Sequence, residues 1–242
     1  IISFVKDNKD EKLHYDHLIF ATDPVTPSKL IKDFKQDIEL DEIGTSGKVT
    51  AFFKNPVKWK ESNEYSDSFR FIFSNNNLNK FEEASQNALK NSGDYFAGFI
   101  QIYPDGSAQR TMNNKESYDK LILFTKNLSY DKKADDLDKV KDEIINTVLP
   151  YIENPEDLVY SKFLTPKDLN KTFFFPKGNI DHITLTGKQN YNKRTFSKNP
   201  NNFYSYYDLK DVYYCGAGSF PCGSVAGTAG YMCSKQLIRN DH

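Results

Sequence analysis

The C-terminal thirty residues constrain the fold of this chain more than any other stretch. Asp211-Val212-Tyr213-Tyr214-Cys215-Gly216-Ala217-Gly218 passes from apolar residues into glycine, and Ser219 to Gly230 is dominated by small residues. Tyr231 to Ile238 then has the composition of a helix. This order predicts a buried strand, a glycine turn and a helix, an arrangement that turns backbone N–H groups toward a phosphate or a cofactor ring. Only about ten helical residues precede the end of the sequence. No second strand follows, and no acidic residue some twenty positions on is there to hold a ribose. The segment therefore does not open a dinucleotide fold of its own and is expected to complete a sheet begun elsewhere. That points to the C-terminal part of a larger nucleotide-dependent enzyme.

The totals narrow the alternatives. At 242 residues the chain has room for one large domain or two small ones. Its 32 basic and 33 acidic side chains nearly cancel, which argues against wholesale electrostatic binding of nucleic acid or anionic membrane and leaves room only for a local peripheral membrane contact. With 15 Tyr and 19 Phe, much of the buriable surface is aromatic. No apolar run approaches the ~20 residues that cross a bilayer. The sequence begins without Met in the strand-like Ile1-Ile2-Ser3-Phe4-Val5, and no basic-then-apolar leader opens it. A cytoplasmic location is expected, or a mitochondrial one in a eukaryote. All 3 cysteines fall between positions 215 and 233, with neither a zinc spacing nor the companions of a disulfide scaffold. They read as small, partly buried thiols in a reducing compartment, and no metal site is expected.

Along the chain, Ile1–Val5 and Lys12–Phe20 flank a polar turn and predict a hairpin. The second arm ends in His17-Leu18-Ile19-Phe20-Ala21-Thr22-Asp23-Pro24, a continuous apolar run of the kind found in a parallel sheet covered on both faces. Pro24 to Leu40 predicts a turn and an amphipathic helix with Leu30, Ile31 and Phe34 on one face. Strands are expected at Lys48–Phe53, Ser68–Phe73, Tyr95–Tyr103 and Leu121–Thr125, and helices at Leu78–Leu89 and Leu137–Tyr151. An antiparallel sheet with helices on one side follows. Beyond Asn154 the pattern is less regular, apart from a helix start at Leu164-Thr165-Pro166-Lys167-Asp168-Leu169.

Four segments in this order resemble a family. Ala21-Thr22-Asp23-Pro24, Leu164-Thr165-Pro166-x-Asp168-Leu169, Gly178-Asn179-Ile180-x-His182 and Tyr214-Cys215-Gly216-x-Gly218-x-x-Pro221-x-Gly223-x-Val225-x-Gly227-x-x-Gly230 look like the phytoene desaturase-related (phytoene dehydrogenase-related) NAD(P)/FAD-dependent oxidoreductases. Within these, the resemblance is to the pyridine nucleotide-disulphide oxidoreductase domain-containing protein 2 group. It runs from about residue 12 to about residue 238 and is dense only at the ends. Members carry an N-terminal Rossmann half with the glycine fingerprint for the FAD pyrophosphate, and residues 1–242 do not supply it. Gly216-x-Gly218 is followed by Pro221 where a third glycine would be needed. The chain is therefore similar to the C-terminal half of such a flavoprotein, with the N-terminal FAD-binding half as its missing partner. Two departures stand out: Phe220-Pro221-Cys222-Gly223-Ser224 replaces the family's His-Pro-Gly-Gly-Gly, and Lys177 stands where a glycine is usual.

The resemblance implies an α/β plus α+β fold of the amine oxidase-like kind. Residues 1–24 would end an FAD-binding domain, 25–207 would form a substrate domain, and 208–242 would complete the FAD layer with a strand, turn and helix. It implies FAD-dependent dehydrogenation or desaturation of a small hydrophobic molecule by the full-length oxidoreductase, with this portion inactive alone. Ala21 and Thr22 would turn beneath the cofactor, and Gly216 and Gly218 would let the strand end pass close to its ribityl-phosphate portion. Pro221, Gly223, Ser224, Val225 and Gly227 would surround a helix start aimed at the flavin ring. For Gly216 and Gly218 the alternative is a tight turn without a ligand, and for Asp23 an Asx-turn ahead of Pro24. His182 is the histidine whose segment matches the family. It is a candidate general base, and a hydrogen-bonded structural histidine is the competing reading. Phe173-Phe174-Phe175, Tyr204, Tyr206 and Tyr207 are read either as a substrate tunnel or as core. The functional alternative is a non-catalytic binding module or pseudoenzyme.

Overall fold

The structure is a computed structural model that describes residues 1–35, 40–41, 43–61, 68–92, 94–105, 118–131, 134–185, 187–221 and 227–240. Its elements in chain order begin with β1 (Ile2–Lys6), β2 (Lys9–Leu13), β3 (Leu18–Phe20), α1 (Thr26–Leu30), β4 (Gly47–Phe53), β5 (Arg70–Phe73) and α2 (Leu78–Leu89). They continue with β6 (Phe99–Pro104), β7 (Asp119–Thr125), α3 (Ala134–Val148), β8 (Leu158–Leu164), α4 (Pro166–Phe173), β9 (Val212–Tyr214) and α5 (Thr228–Asn240). Two compact units result, one from Ile43–Asn179 and one from Ile1–Glu42 with Ile180–His242. These units divide after residues 42 and 179, whereas the expected segments divide after 24 and 207. Ile31, Phe34, Ile183, Phe196 and Tyr206 cluster with Val212 and Tyr214, so the flanks of the expected substrate domain belong to the split unit.

The middle unit is an antiparallel five-stranded sheet in the order β5-β6-β7-β4-β8. Residues alternate between buried and half-buried along β4 and β7, as the period-two pattern dictates. Val49, Ala51, Phe53, Ile100, Ile102, Leu121 and Leu123 share the inner face with Val140, Ile144 and Val148 of α3. These three recur at i, i+4 and i+8, one stripe of a helix, so the α+β architecture expected from sequence is present. Strand β8 was not anticipated: among the described residues it is an edge strand paired with β4 alone, and Leu158-Val159-Tyr160-Ser161-Lys162 lacks a buried alternation to announce it.

Thr165 and Asp168 form a reciprocal capping box at the start of α4, as the sequence implied. Shortly after that helix, Lys177 is exposed and held at φ 46°, a left-handed conformation that costs an L-residue about 1–2 kcal/mol. Lys177→Gly is expected to raise the urea midpoint of the middle unit, with a net gain of about 0.5 kcal/mol after the entropy of glycine in the unfolded chain is subtracted. Fluorescence of Trp59, the single tryptophan, reports this unit by itself.

In the split unit β1 and β2 form the expected hairpin, turning through Asp7 and Asn8 at φ 50° and 61°. Its second arm does not continue to Phe20. Leu18–Phe20 instead pairs in parallel with β9, Leu18 opposite Val212 and Phe20 opposite Tyr214. The pair is covered on one face by the aromatic cluster around Tyr206. On the other, Tyr213 packs with Tyr204 and Cys233 while Ile19 stays 46% exposed, so cover on both faces is only partial. Helix α1 stops at Leu30, far short of Leu40. Asp33 turns left-handed and Phe34 packs against Tyr206 and Tyr207 at ring distances of 5.8 and 4.9 Å. Burying Ile31 and Phe34 in this way takes the chain out of the helix and leaves Leu30 71% exposed. Helix α5 runs from Thr228 to Asn240, and the positions Gly223, Ser224 and Val225 expected around its start lie outside the described residues. Among the described residues no helix is long and apolar enough to cross a membrane.

Candidate functional site at the paired strand ends

Because β3 and β9 are parallel, Ala21-Thr22-Asp23-Pro24 and Cys215-Gly216-Ala217-Gly218 emerge at the same, carboxyl end of the pair. In open α/β layers this is the edge where ligands bind. The ladder runs on past the strands, with Cys215 N–H donating to the Phe20 carbonyl at 2.9 Å. Two tyrosines then tie the loops down. The Tyr214 hydroxyl donates to the Thr22 carbonyl at 3.1 Å and accepts from Gly218 N–H at 3.2 Å, and the Tyr206 hydroxyl donates to the Pro24 carbonyl at 2.7 Å. Burial raises both phenols well above the ordinary tyrosine range, so both remain neutral donors.

The two glycines after β9 serve this internal packing. A Cβ on Gly216 would lie 2.3 Å from the Thr22 carbonyl oxygen, and one on Gly218 would lie 2.9 Å from the Tyr214 hydroxyl and 3.1 Å from Pro24 Cγ. The space a side chain would take at each glycine is filled by the chain's own atoms, which is the close approach that the tight-turn reading requires. Gly227 differs: it is exposed, sits at φ 69° and, among the described residues, has nothing within 4 Å of a built Cβ. Ala21, Thr22 and Pro221 are exposed as well, so these four offer the accessible surface among the expected contacts. Gly223, Ser224 and Val225 lie outside the described residues.

A residue that sequence reasoning missed organises the site. Arg194 is 1% exposed. Its guanidinium donates to the carbonyls of Ile183 at 3.2 Å, Thr184 at 2.9 Å and Ala217 at 3.1 Å, and also to that of Asp181. Its own carbonyl accepts from Phe220 N–H at 3.0 Å. One planar fork of donors thus holds the loop around His182 against the glycine turn. Arg194 sits in a polar stretch with no motif, and nothing local in the sequence marks an arginine that will be buried.

His182 is buried beside Arg194 and Asp23 at φ 67°. Burial holds its imidazole below the ordinary histidine range; Asp23 and Asp181 pull it up and Arg194 pushes it down. Neutral at neutral pH and embedded in the turn, it has the surroundings of a structural histidine. The Asp23 carboxylate accepts from the N–H groups of Val25 at 2.9 Å and Thr26 at 2.8 Å, which is the expected Asx-turn. Since the folded pKa of His182 lies below the unfolded one, the unfolded chain binds a proton that the folded chain refuses. Stability of the split unit should therefore fall as pH drops through 6.5, the ordinary histidine value, and level off below the folded pKa. His182→Asn, which tolerates the left-handed backbone, should flatten that slope. Urea midpoints from tyrosine near-UV circular dichroism, taken between about pH 7.5 and about pH 5.5, check this; equal slopes in the two proteins would refute it.

The aromatic residues divide between surface and core. Tyr204 and Tyr206 are core residues, so the tunnel reading does not hold for them, whereas Phe173 and Phe174 are exposed. In the middle unit, the outer sheet face carries an open aromatic row. Phe69 meets Tyr103 at 4.7 Å and Phe71 at 4.6 Å, and Phe71, Phe73 and Phe99 stack at 6.1 Å. A cleft of about 470 Å³ opens beside it between Trp59, Arg70, Phe71 and Phe73. Among the described residues, no group of three or more His, Cys, Asp or Glu side chains is placed to hold a metal ion. No protein-family model matches the chain.

Proposed function

We propose that this chain is the C-terminal portion of an FAD-dependent oxidoreductase of the dehydrogenase or desaturase type that acts on a hydrophobic substrate. The observation that carries the reading is the parallel pairing of β3 with β9, which joins segments 192 positions apart (Tyr214 and Thr22) at one carboxyl-terminal edge. Lys177 supports it: its left-handed backbone is the conformation a glycine adopts freely, and glycine is what the resembled family carries there. The exposed positions Ala21, Thr22, Pro221 and Gly227 would form the shelf for the cofactor, joined through the resemblance by Gly223, Ser224 and Val225. Gly216 and Gly218 would act one step back, by shaping the turn. Bound there, a flavin would supply the hydride acceptor. Arg194 and Tyr214 would keep the shelf rigid, and the open aromatic face of the middle unit supplies apolar surface suited to a hydrophobic substrate.

A second reading, a non-catalytic relative that keeps the turn, draws on the filled sides of Gly216 and Gly218 and on the replacements at Phe220, Cys222 and Ser224. The test is to purify the full-length protein that contains this chain and to measure flavin absorbance per protein, before and after refolding with FAD. Bound flavin near one per chain is expected, and Gly223→Val should abolish it with circular dichroism unchanged. Colourless protein after refolding would overturn the oxidoreductase reading, and a normal flavin content in Gly223→Val would remove the turn from the site.

A further inference from the structure

Two of the three cysteines meet in the split unit. Cys215 directly follows β9 and is half-buried, while Cys233 lies on α5 and is 1% exposed. Both pack with Tyr204 and Tyr213 in one cluster. Sequence spacing alone argued against a cysteine framework, because the helix must fold back on the strand before the two sulfurs approach.

We propose that Cys215 and Cys233 are a redox-active pair, with Cys215 attacking a small-molecule disulfide and Cys233 resolving it to a reversible Cys215–Cys233 bond. The order of attack follows from exposure, since only Cys215 is open to a reagent. The Cys233 thiol in the same cluster, acting as a hydrogen-bond donor, lowers the Cys215 thiol to about 7, which favours a nucleophilic thiolate near neutral pH. Donating that bond, with burial added, pushes Cys233 up and holds it in reserve as a thiol. In the first step the Cys215 thiolate bonds to one sulfur of the reagent, whose S–S bond breaks and whose other half leaves as a thiolate and takes up a proton. In the second, Cys233 gives its proton to that pool and its sulfur attacks Cys215 Sγ, expelling the remaining half as a thiol. Two protein thiols are oxidised to one disulfide and the reagent is reduced to two thiols. The bond fastens the end of β9 to α5, so it should raise the unfolding midpoint of the split unit.

One tryptic peptide, Asp211 to Lys235, contains all three cysteines, so variants assign the bond better than peptide mapping does. The chain carrying Cys222→Ser is equilibrated with oxidised glutathione and quenched in acid, and its free thiols and intact mass are measured. Both thiols should be lost, the mass should fall by two hydrogens, and no glutathione should remain attached. Adding Cys233→Ala, which keeps the apolar packing, should trap glutathione on Cys215. Adding Cys215→Ala instead should leave Cys233 as an unmodified thiol. Two surviving thiols in the Cys222→Ser chain, glutathione retained there, or modification of Cys233 without Cys215 would each overturn the proposal. So would thiol loss that is equally fast in guanidinium, because the folded cluster would then not be bringing the sulfurs together.

Discussion

Arg194→Met is expected to destabilise the split unit selectively, by about 3 kcal/mol. The side chain donates to the carbonyls of Asp181, Ile183, Thr184 and Ala217, and Met offers none of those bonds. Each buried carbonyl left without a donor costs about 1–3 kcal/mol, and removing the buried charge recovers only part of the sum. Arg194→Lys should fare little better, because a single ammonium cannot reproduce the planar fork that reaches carbonyls on both sides. Two reporters separate the units. Cysteine falls only at positions 215, 222 and 233, so thiol exposure in urea follows the split unit, while Trp59 follows the middle one. The thiol midpoint should drop with the fluorescence midpoint unchanged. An unaltered thiol midpoint would mean that the carbonyls find other donors and that Arg194 is not the organiser described above.

Gly216→Val should be as damaging for a different reason. Its Cβ would sit 2.3 Å from the Thr22 carbonyl oxygen, a backbone atom that can yield only if the end of β3 moves. Moving it strains the Cys215–Phe20 and Tyr214–Thr22 hydrogen bonds, and overpacking of this kind costs about 3 kcal/mol or more. Gly227→Ala is the matched control. Among the described residues nothing lies within 4 Å of its built Cβ, so the expected cost is that of the left-handed backbone, about 1 kcal/mol. The same thiol assay should rank the two far apart. Equal costs would show that the turn after β9 is looser than the close approach implies. Under the proposed flavin site the pair also separates roles in full-length protein: Gly216→Val should lose flavin together with stability, whereas a bulky residue at Gly227 should lose flavin with stability nearly kept.

Much of the middle unit was legible because its signals are local. The stripe Val140, Ile144, Val148 and the Thr165–Asp168 box specify helices within a few residues, and the alternation along β4 and β7 specifies strands in the same way. Strand β8 escaped because an edge strand needs no inward stripe; its place is decided by pairing with β4. In the split unit the sequence determined which segments carry glycine, proline and aromatic residues, and their order led to the expectation that both ends of the chain share one sheet. The parallel register of Leu18 with Val212 meets that expectation. What stands opposite each glycine is visible only in three dimensions. Whether a missing Cβ makes room for a ligand or for the chain itself depends on what stands opposite, and opposite Gly216 stands Thr22, 194 positions earlier in the sequence. Arg194 and the two sulfurs follow the same logic. A buried cation or a thiol pair has no periodicity and no spacing rule, because its partners are backbone carbonyls and side chains brought in by folding. The sequence by itself determined the elements that carry strong local signals and the order in which they follow. Tertiary packing alone decided which polar atoms are satisfied, which glycines are crowded and which cysteines meet, since these are properties of distance in space.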